Sequence, residues 1–369
     1  MTSPSIPDAP REPLVLSARD GVATRITLNR PRAINALNSE MFALLDEAIA
    51  AANADGSRVI VLDGAGDRGF CGGGDVKELS SADTAAILAR EYRVDWAIAA
   101  SRVPVVALMD GIAMGGGIGL GGHAAHRVVT ERSRLAMPEA RIGIAPDVGG
   151  HLLLARAPGR LGEYLAVTAG EMSGADAVAL GFADALVPSE RLAELRGALA
   201  AGQEPTSAIA ELAAMPQASP VLGVREWWDP IAEQALGADH PAASEDPAAA
   251  ALRLIEALEA TAAADQRVAA AVGTIRAMCP ASIAVTLAQL DRTRREGLGL
   301  REVLSDDLRL LGRIAPRPDF AEGVRAQIID KDRSPRWSPA RIEDLNPEEF
   351  ARFVNPEPVA GEPTLELPA

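Results

Sequence analysis

The stretch "PVVALMDGIAMGGGIGLGG", Pro104 to Gly122, decides how this 369-residue chain is to be read. Its first half is a short apolar run, rich in valine and bounded by turn residues, which predicts a buried strand. Its second half is glycine-rich and contains a literal GxGxxG, "GIGLGG". In a dinucleotide-binding unit that pattern forms the turn between strand and helix, with an acidic strand end about 20 residues on. Here it falls inside the expected helix, and no acidic strand end follows at the required distance. A second match, "GAGDRG", begins the run "GAGDRGFCGGGD" (Gly64–Asp75), but another glycine cluster intervenes before any helix. Dinucleotide binding is therefore set aside. Glycine also lets backbone N–H groups approach one ligand atom closely. Two such turns converging from neighbouring strands would offer a pair of donors to a carbonyl that becomes an oxyanion. Tight helix–sheet packing needs the same small residues, and on these residues alone the two readings stand level.

The segments on either side alternate between strand and helix. "PLVLSARDGVATRITLN" reads as a hairpin about Asp20-Gly21. "NSEMFALLDEAIAAANA" is a helix behind an Asn38/Ser39 cap. "RVIVLDG" is a strand, "TAAILAREYRVDWAIAAS" a helix and "HRVVTE" a strand. "GRLGEYLAVTAG" and "SGADAVALG" are helices, the second leading into the strand "ADALVP". This alternation predicts an α/β core over residues 12–190. Beyond it the chain turns alanine-rich, with helices at "PASIAVTLAQLDRTRREG" and "SDDLRLLGRIA", so residues 191–350 read as a helical region. Residues 1–11 read as a flexible N-terminus and 351–369 as a disordered tail.

Composition narrows the function classes. The chain is 48% hydrophobic with few aromatics, enough for a large aliphatic core. A formal charge of −15 argues against a nucleic-acid binder and against attraction to anionic lipid. Two cysteines, Cys71 and Cys279, make no disulfide framework, and the N-terminus has no apolar signal core. A cytoplasmic protein is expected, with no nucleic-acid or membrane partner.

One further segment raises a chemical question. "MPEARIGIAPDVGG", Met137–Gly150, carries two carboxylates, Glu139 and Asp147, each directly after a proline in apolar surroundings. Fixed acids in such surroundings suit general acid/base or nucleophilic chemistry. They also suit the first turn of a helix, and on this segment alone capping has the better claim.

The order of the motifs resolves these alternatives. "ITLNRPRAINAL", "GFCGGGDVKEL", "PVVALMDGIAMGGGIGL" and "AMPEARIGIAPDVGG" together resemble the crotonase (enoyl-CoA hydratase/isomerase) superfamily. "DFAEGVRAQIIDKDRSPRW" (Asp319–Trp337), taken with "PEARIGIAPDVGG", is similar to its 3-hydroxyisobutyryl-CoA hydrolase branch. The resemblance implies a spiral of ββα units, followed here by a mainly helical C-terminal region. It implies a coenzyme A thioester as substrate, with no permanently bound cofactor and no metal. The oxyanion-hole amides would fall on Gly74 and Gly116. Adenine and pantetheine contacts would lie near Ala33 and Ala36 and along Gly72, Gly73, Asp75 and Val76, with Arg32 and Lys77 as phosphate partners. Glu91 matches an acid that lines the site in the hydrolase branch.

One departure is informative. Hydratases carry a glutamate where this chain has Gly119, three residues after the middle glycine of "GGG". The second hydratase glutamate matches Glu139, and Asp147 matches the hydrolase branch's own acid. The resemblance therefore implies hydrolysis of a short branched 3-hydroxyacyl-CoA, as in valine catabolism, with Glu139 attacking or activating water and Asp147 holding the 3-hydroxyl. The alternatives are a hydratase or isomerase using Glu139 alone, or a non-catalytic acyl-CoA-binding scaffold. His151 reads as structural, and Cys71 lacks a base partner that would make it a nucleophile. A homo-oligomer is left open.

Overall fold

The structure, a computed structural model, describes residues 12–79 and 84–368; the expected flexible segment 1–11 lies outside them. β1 (Val15–Asp20) and β2 (Ala23–Leu28) form the antiparallel hairpin about Asp20-Gly21, with Leu16 opposite Thr27. α1 (Ser39–Ala54) begins where the Asn38 side chain accepts the Met41 N–H at 3.0 Å. There follow β3 (Val59–Gly64), β4 (Gly69–Cys71), α2 (Val76–Leu79) and α3 (Thr84–Ala99). Next come β5 (Val105–Met109), β6 (Ile112–Met114), α4 (Gly116–Gly122), β7 (His126–Val129) and β8 (Arg134–Ala136). The core closes with α5 (Gly150–Arg156), α6 (Leu161–Thr168), β9 (Glu171–Ser173), α7 (Gly174–Ala179) and β10 (Ala185–Leu186).

The strands divide between two sheets. One runs β1-β2-β3-β5-β7-β10 and the other β4-β6-β8-β9. β3, β5 and β7 each pass directly to a strand of the second sheet, β4, β6 and β8, before a helix returns the chain. This is the ββα spiral that the sequence resemblance implied. The pairs β4–β6 and β6–β8 are parallel, so the segments leaving these strands emerge on one side. The first GxGxxG connects β3 to β4 and the second lies within α4, so neither forms a strand–turn–helix phosphate cradle.

Helices account for the rest: α8 (Leu192–Ala200), α9 (Pro205–Leu212), α10 (Pro220–Gly223), α11 (Arg225–Leu236), α12 (Pro247–Ala262), α13 (Gln266–Ala277), α14 (Pro280–Glu296), α15 (Leu300–Ile314), α16 (Pro318–Val324) and α17 (Pro347–Phe353). α14 is buried along most of its length, and α15 turns Val303, Leu304, Leu308 and Leu311 onto α3 and α5. The same core cluster runs from β1 through α17, so these helices share the interior of the strand-bearing part. No single helix among the described residues is long and apolar enough to cross a membrane.

The tail departs from the expected disorder. Residues 354–368 return along α15 and α3: Trp96 Nε1 donates to the Pro368 carbonyl at 3.0 Å and Arg301 to that of Leu367 at 3.1 Å. Arg313 pairs with Glu362 at 2.6 Å, and Leu365 and Leu367 pack on the core. Low hydrophobicity pointed to disorder; fixed donors on distant helices, which composition does not reveal, hold the segment in place.

Candidate active site

The segments leaving β4, β6 and β8 enclose a cavity of about 230 Å³. Its wall carries Gly72–Gly74, Met114–Gly116 and Pro138–Glu139, with Glu91 from α3 and Asp147. Apolar side chains close the remainder: Leu79, Leu88, Ile142, Ile144, and from the C-terminal helices Leu311 and Phe320. A mostly apolar cleft with a few convergent polar groups at strand ends is the usual form of a small-molecule site in an α/β fold.

The two glycine turns meet at its base. Gly73 (φ +97°) and Gly115 (φ +50°) hold the left-handed backbone that only glycine adopts without strain. A Cβ placed on Gly116 would stand 3.3 Å from the Gly74 nitrogen, so these two peptides lie against one another. Leu37 and Gly74 bridge in parallel, which fixes the Gly74 turn from below. Glu91 stands over the pair: its Oε1 occupies the position that a Gly116 Cβ would take, and its Oε2 lies 3.8 Å from one on Gly74. Glu91 is 2% exposed, which settles its place inside the site rather than on a solvated helix face.

Glu139 opens the 3-10 turn Glu139–Arg141 directly after Pro138. Its Oε1 would be 2.9 Å from a Cβ on Gly115, and its Oε2 is buried with no hydrogen-bond partner among the described residues. Asp147 precedes a left-handed pair, Val148 (φ 52°) and Gly149 (φ 70°), and the fully buried Tyr92 donates its hydroxyl to Asp147 Oδ2 at 2.7 Å. Asp147 stands outside the first turn of α5, whereas Glu139 is the first residue of a single 3-10 turn, so the capping alternative falls away for Asp147 and reduces to that one turn for Glu139.

The space beside Gly119 is filled by a fourth acid, which the sequence reading missed. A Cβ on Gly119 would lie 2.8 Å from Asp95 Oδ1 and 2.7 Å from the Val148 Cβ. Asp95 is wholly buried, and both its carboxylate oxygens lack hydrogen-bond partners among the described residues. One signal in the sequence pointed there: Glu91 and Asp95 share the α3 face that carries Leu88 and Ile98, an apolar face where acids are out of place.

These carboxyls hold protons tightly. Burial, then the neighbouring Asp147 charge, raises Glu91 and Glu139 well above the usual carboxylate range. Burial, then Glu91, does the same for Asp95. Burial and the charge of Asp307 push Asp147 up to about 7. The Asp147 value suits a group that exchanges protons near neutrality.

The remaining candidates sit further out. Ala33 and Ala36 flank a stretch paired with the first glycine turn, where Gly72 N–H donates to the Ile34 carbonyl at 2.7 Å, but neither lines the cavity. Gly72, Gly73 and Val76 do line it. Asp75 is ion-paired with Arg30 at 2.8 Å. Arg32 and Lys77 are exposed and lie outside the cavity wall. The cation that the structure does bring to the wall is Arg141, exposed and unremarked in the sequence. Burial pushes the Cys71 thiol up to about 12, which leaves it inert. No cluster of three or more His, Cys, Asp or Glu side chains among the described residues is arranged to hold a metal ion.

The pattern of the enoyl-CoA hydratase/isomerase family matches residues 23–354. The mitochondrial 3-hydroxyisobutyryl-CoA hydrolase of Rattus norvegicus is 37% identical over 358 residues, which cover 92% of this chain and 88% of the rat protein. That of Homo sapiens is 34% identical over 346 residues, covering 91% and 87%. Among solved structures, a carnitinyl-CoA dehydratase from Mycobacterium thermoresistibile matches with a TM-score of 0.84 at 36% identity, over 96% of this chain and 99% of its own. An enoyl-CoA hydratase from Rhodobacter sphaeroides matches at 0.79 and 39%, over 92% and 97%. The names of these relatives disagree about the reaction, and the choice falls to the residues of the site.

Proposed function

Since this chain belongs to the enoyl-CoA hydratase/isomerase family, we propose that it hydrolyses a short branched 3-hydroxyacyl-CoA thioester, with 3-hydroxyisobutyryl-CoA as substrate and 3-hydroxyisobutyrate and coenzyme A as products. The observation that carries this reading is the loss of the first hydratase acid. Gly119 has no side chain, and Asp95 and Val148 fill the space where one would stand. Hydration across a double bond by two glutamates has lost one of them. Hydrolysis needs only a donor pair, one nucleophile or base, and water. The hydrolases of rat and human, similar over nearly the full length, support the same choice.

In this reading the thioester oxygen lies between the amides of Gly74 and Gly116. Neither N–H donates to a protein acceptor among the described residues, so both are available to the charge that develops on that oxygen. Preorganised donors of this kind stabilise a tetrahedral intermediate by roughly 2.7–4 kcal/mol each. Glu139 then acts in one of two ways. Its carboxylate attacks the carbonyl carbon, expelling the coenzyme A thiolate and leaving an anhydride that water cleaves; or it takes a proton from water that attacks directly. Either route needs the ionised carboxylate, so Glu139 must first release the proton that burial and the Asp147 charge favour. Asp147, fixed through its Oδ2 by Tyr92, receives the 3-hydroxyl and passes a proton to the departing sulfur.

Coenzyme A enters only as part of the substrate, and valine breakdown is the setting that such a substrate implies. A reducing, cytoplasmic location belongs to the proposal and is supported by two free, buried thiols, Cys71 and Cys279. The test is free-thiol release from a panel of acyl-CoAs with and without a 3-hydroxyl. Rapid release confined to the 3-hydroxyacyl members is expected. Release indifferent to the hydroxyl would remove the substrate assignment, and no release from any member would remove the hydrolase assignment.

A further inference from the structure

His151 adjoins the acid segment in sequence but does not line the cavity. Its ring, 1% exposed, meets the C-terminal helices instead. There α15 presents Asp307, also wholly buried, whose two oxygens are both engaged. Oδ1 lies 2.9 Å from His151 Nδ1 and 3.3 Å from Gln289 Nε2 of α14. Oδ2 accepts the Gly149 N–H at 3.0 Å. Gly149 and His151 bracket the end of the turn that starts at Asp147, where the Gly150 N–H donates to the Asp147 carbonyl at 2.6 Å. Val148, a β-branched residue, sits in that turn at φ 52°, and its carbonyl contacts His123 Nε2 at 2.9 Å. A β-branched residue keeps such a backbone only where its surroundings over-determine it.

We infer that Asp307, acting with His151, is a positioning residue for Asp147: helix α15 reaches behind the acid segment, clamps the Val148–His151 turn through the Gly149 amide, and holds the His151 ring against the same turn. The inference rests on the hydrolase reading of Asp147. It gives the C-terminal helices a part in catalysis beyond closing the cavity with Leu311 and Phe320.

The electrostatics supply a signature that a purely structural clamp would lack. Asp147 is faced by Glu91, Tyr92 and Asp95 from α3, by Glu139 from its 3-10 turn, by His151 from α5 and by Asp307 from α15, while the neighbouring Asp306 acts on His151. Asp306 is itself paired with Arg292 and Arg309. After burial, the Asp307 charge is the largest influence raising Asp147, while His151 lowers it. Burial works against the His151 charge, but Asp307, joined by Asp306 and the Pro146 backbone, outweighs it and holds the ring's titration above its ordinary value. Removing the Asp307 carboxylate therefore lowers the titration of Asp147, and removing the His151 imidazole raises it.

The experiment is a carboxyl 13C NMR titration of Asp147 in aspartate-labelled protein, its signal assigned by its loss in Asp147→Asn. It is run on wild type, Asp307→Asn and His151→Gln alongside steady-state hydrolysis. Expected are shifts of opposite sign, down for Asp307→Asn and up for His151→Gln, each about half a pH unit or more. Expected too is a fall in kcat of roughly tenfold to a hundredfold for Asp307→Asn with KM little changed, as for a misplaced catalytic group. Unmoved titrations with wild-type kcat would overturn the inference, as would shifts of one sign in both variants. If Asp307→Asn fails to fold, the upward shift in His151→Gln decides alone. The titration needs no turnover, so a failure of the hydrolase reading appears separately, as absent thiol release from wild type.

Discussion

Asp95 occupies the ground that a side chain at Gly119 would need: its Oδ1 stands 2.8 Å from where a Cβ on Gly119 would be. A real Cβ does not approach a carboxylate oxygen or the Val148 Cβ, at 2.7 Å, so closely. The glycine is therefore fixed by its neighbours as well as by the reaction. Gly119→Ala should destabilise the fold by about 1–3 kcal/mol, the usual cost of overfilling a packed interior. Pairing it with Asp95→Ala should recover part of that loss. Urea unfolding of the two single variants and the double measures the coupling; strictly additive effects would show that the two positions do not share this space.

Glu139 is the acid on which the chemistry turns. Glu139→Gln keeps the side-chain volume while removing charge and nucleophilicity, and should cost at least about 10²–10⁴ in kcat. Acyl-CoA binding, followed by calorimetry, should persist. A Gln variant that turns over at the wild-type rate would assign the chemistry elsewhere.

Asp147 should report on the substrate rather than on the thioester. A site built to hydrogen-bond a hydroxyl discriminates strongly against ligands that lack it. Asp147→Asn should thus penalise 3-hydroxyacyl-CoA far more than the unsubstituted acyl-CoA, narrowing the preference in kcat/KM. Equal losses on both substrates would make Asp147 a general acid or a structural group.

The orphaned Asp95 carboxyl predicts a pH dependence of stability. Burial first, then Glu91, raises its folded titration well above the ordinary 3.8. A raised carboxyl is at full strength below its unfolded value and loses stability as pH climbs toward the folded one. Asp95→Asn, neutral at every pH, should therefore gain in Tm relative to wild type as pH rises above about 4. A difference in Tm that stays constant across that range would mean that Asp95 is not protonated in the fold.

Much of this arrangement was legible in the sequence because it is local. Asp20-Gly21 encodes a turn, Asn38 a cap, and the glycine runs two close approaches of backbone, each readable within a few residues. Glu139 and Asp147 stood out as acids in apolar surroundings. Asp95 left only a faint mark, an acid on the apolar face of α3, and Arg141, Tyr92 and Asp307 left none, since what makes them part of the site is the packing of separate elements. Asp307 reads as one more acid on an amphipathic helix until α15 lies against α5 and its carboxyl meets Gly149 from 158 residues away. His151 reads as structural from the sequence, and it does stand outside the cavity; its tie to Asp307 depends on the same packing. The ordered tail escaped for a like reason, because Trp96 and Arg301 hold it from distant helices.

Thioester cleavage and double-bond hydration leave different products from this family member's substrates, and one paired assay separates them. Purified protein is given 3-hydroxyisobutyryl-CoA and crotonyl-CoA side by side, with free thiol and enoyl absorbance both recorded. Rapid thiol release from the first, with little loss of enoyl absorbance from the second, is the predicted result. Rapid loss of enoyl absorbance without thiol release from either substrate would contradict it.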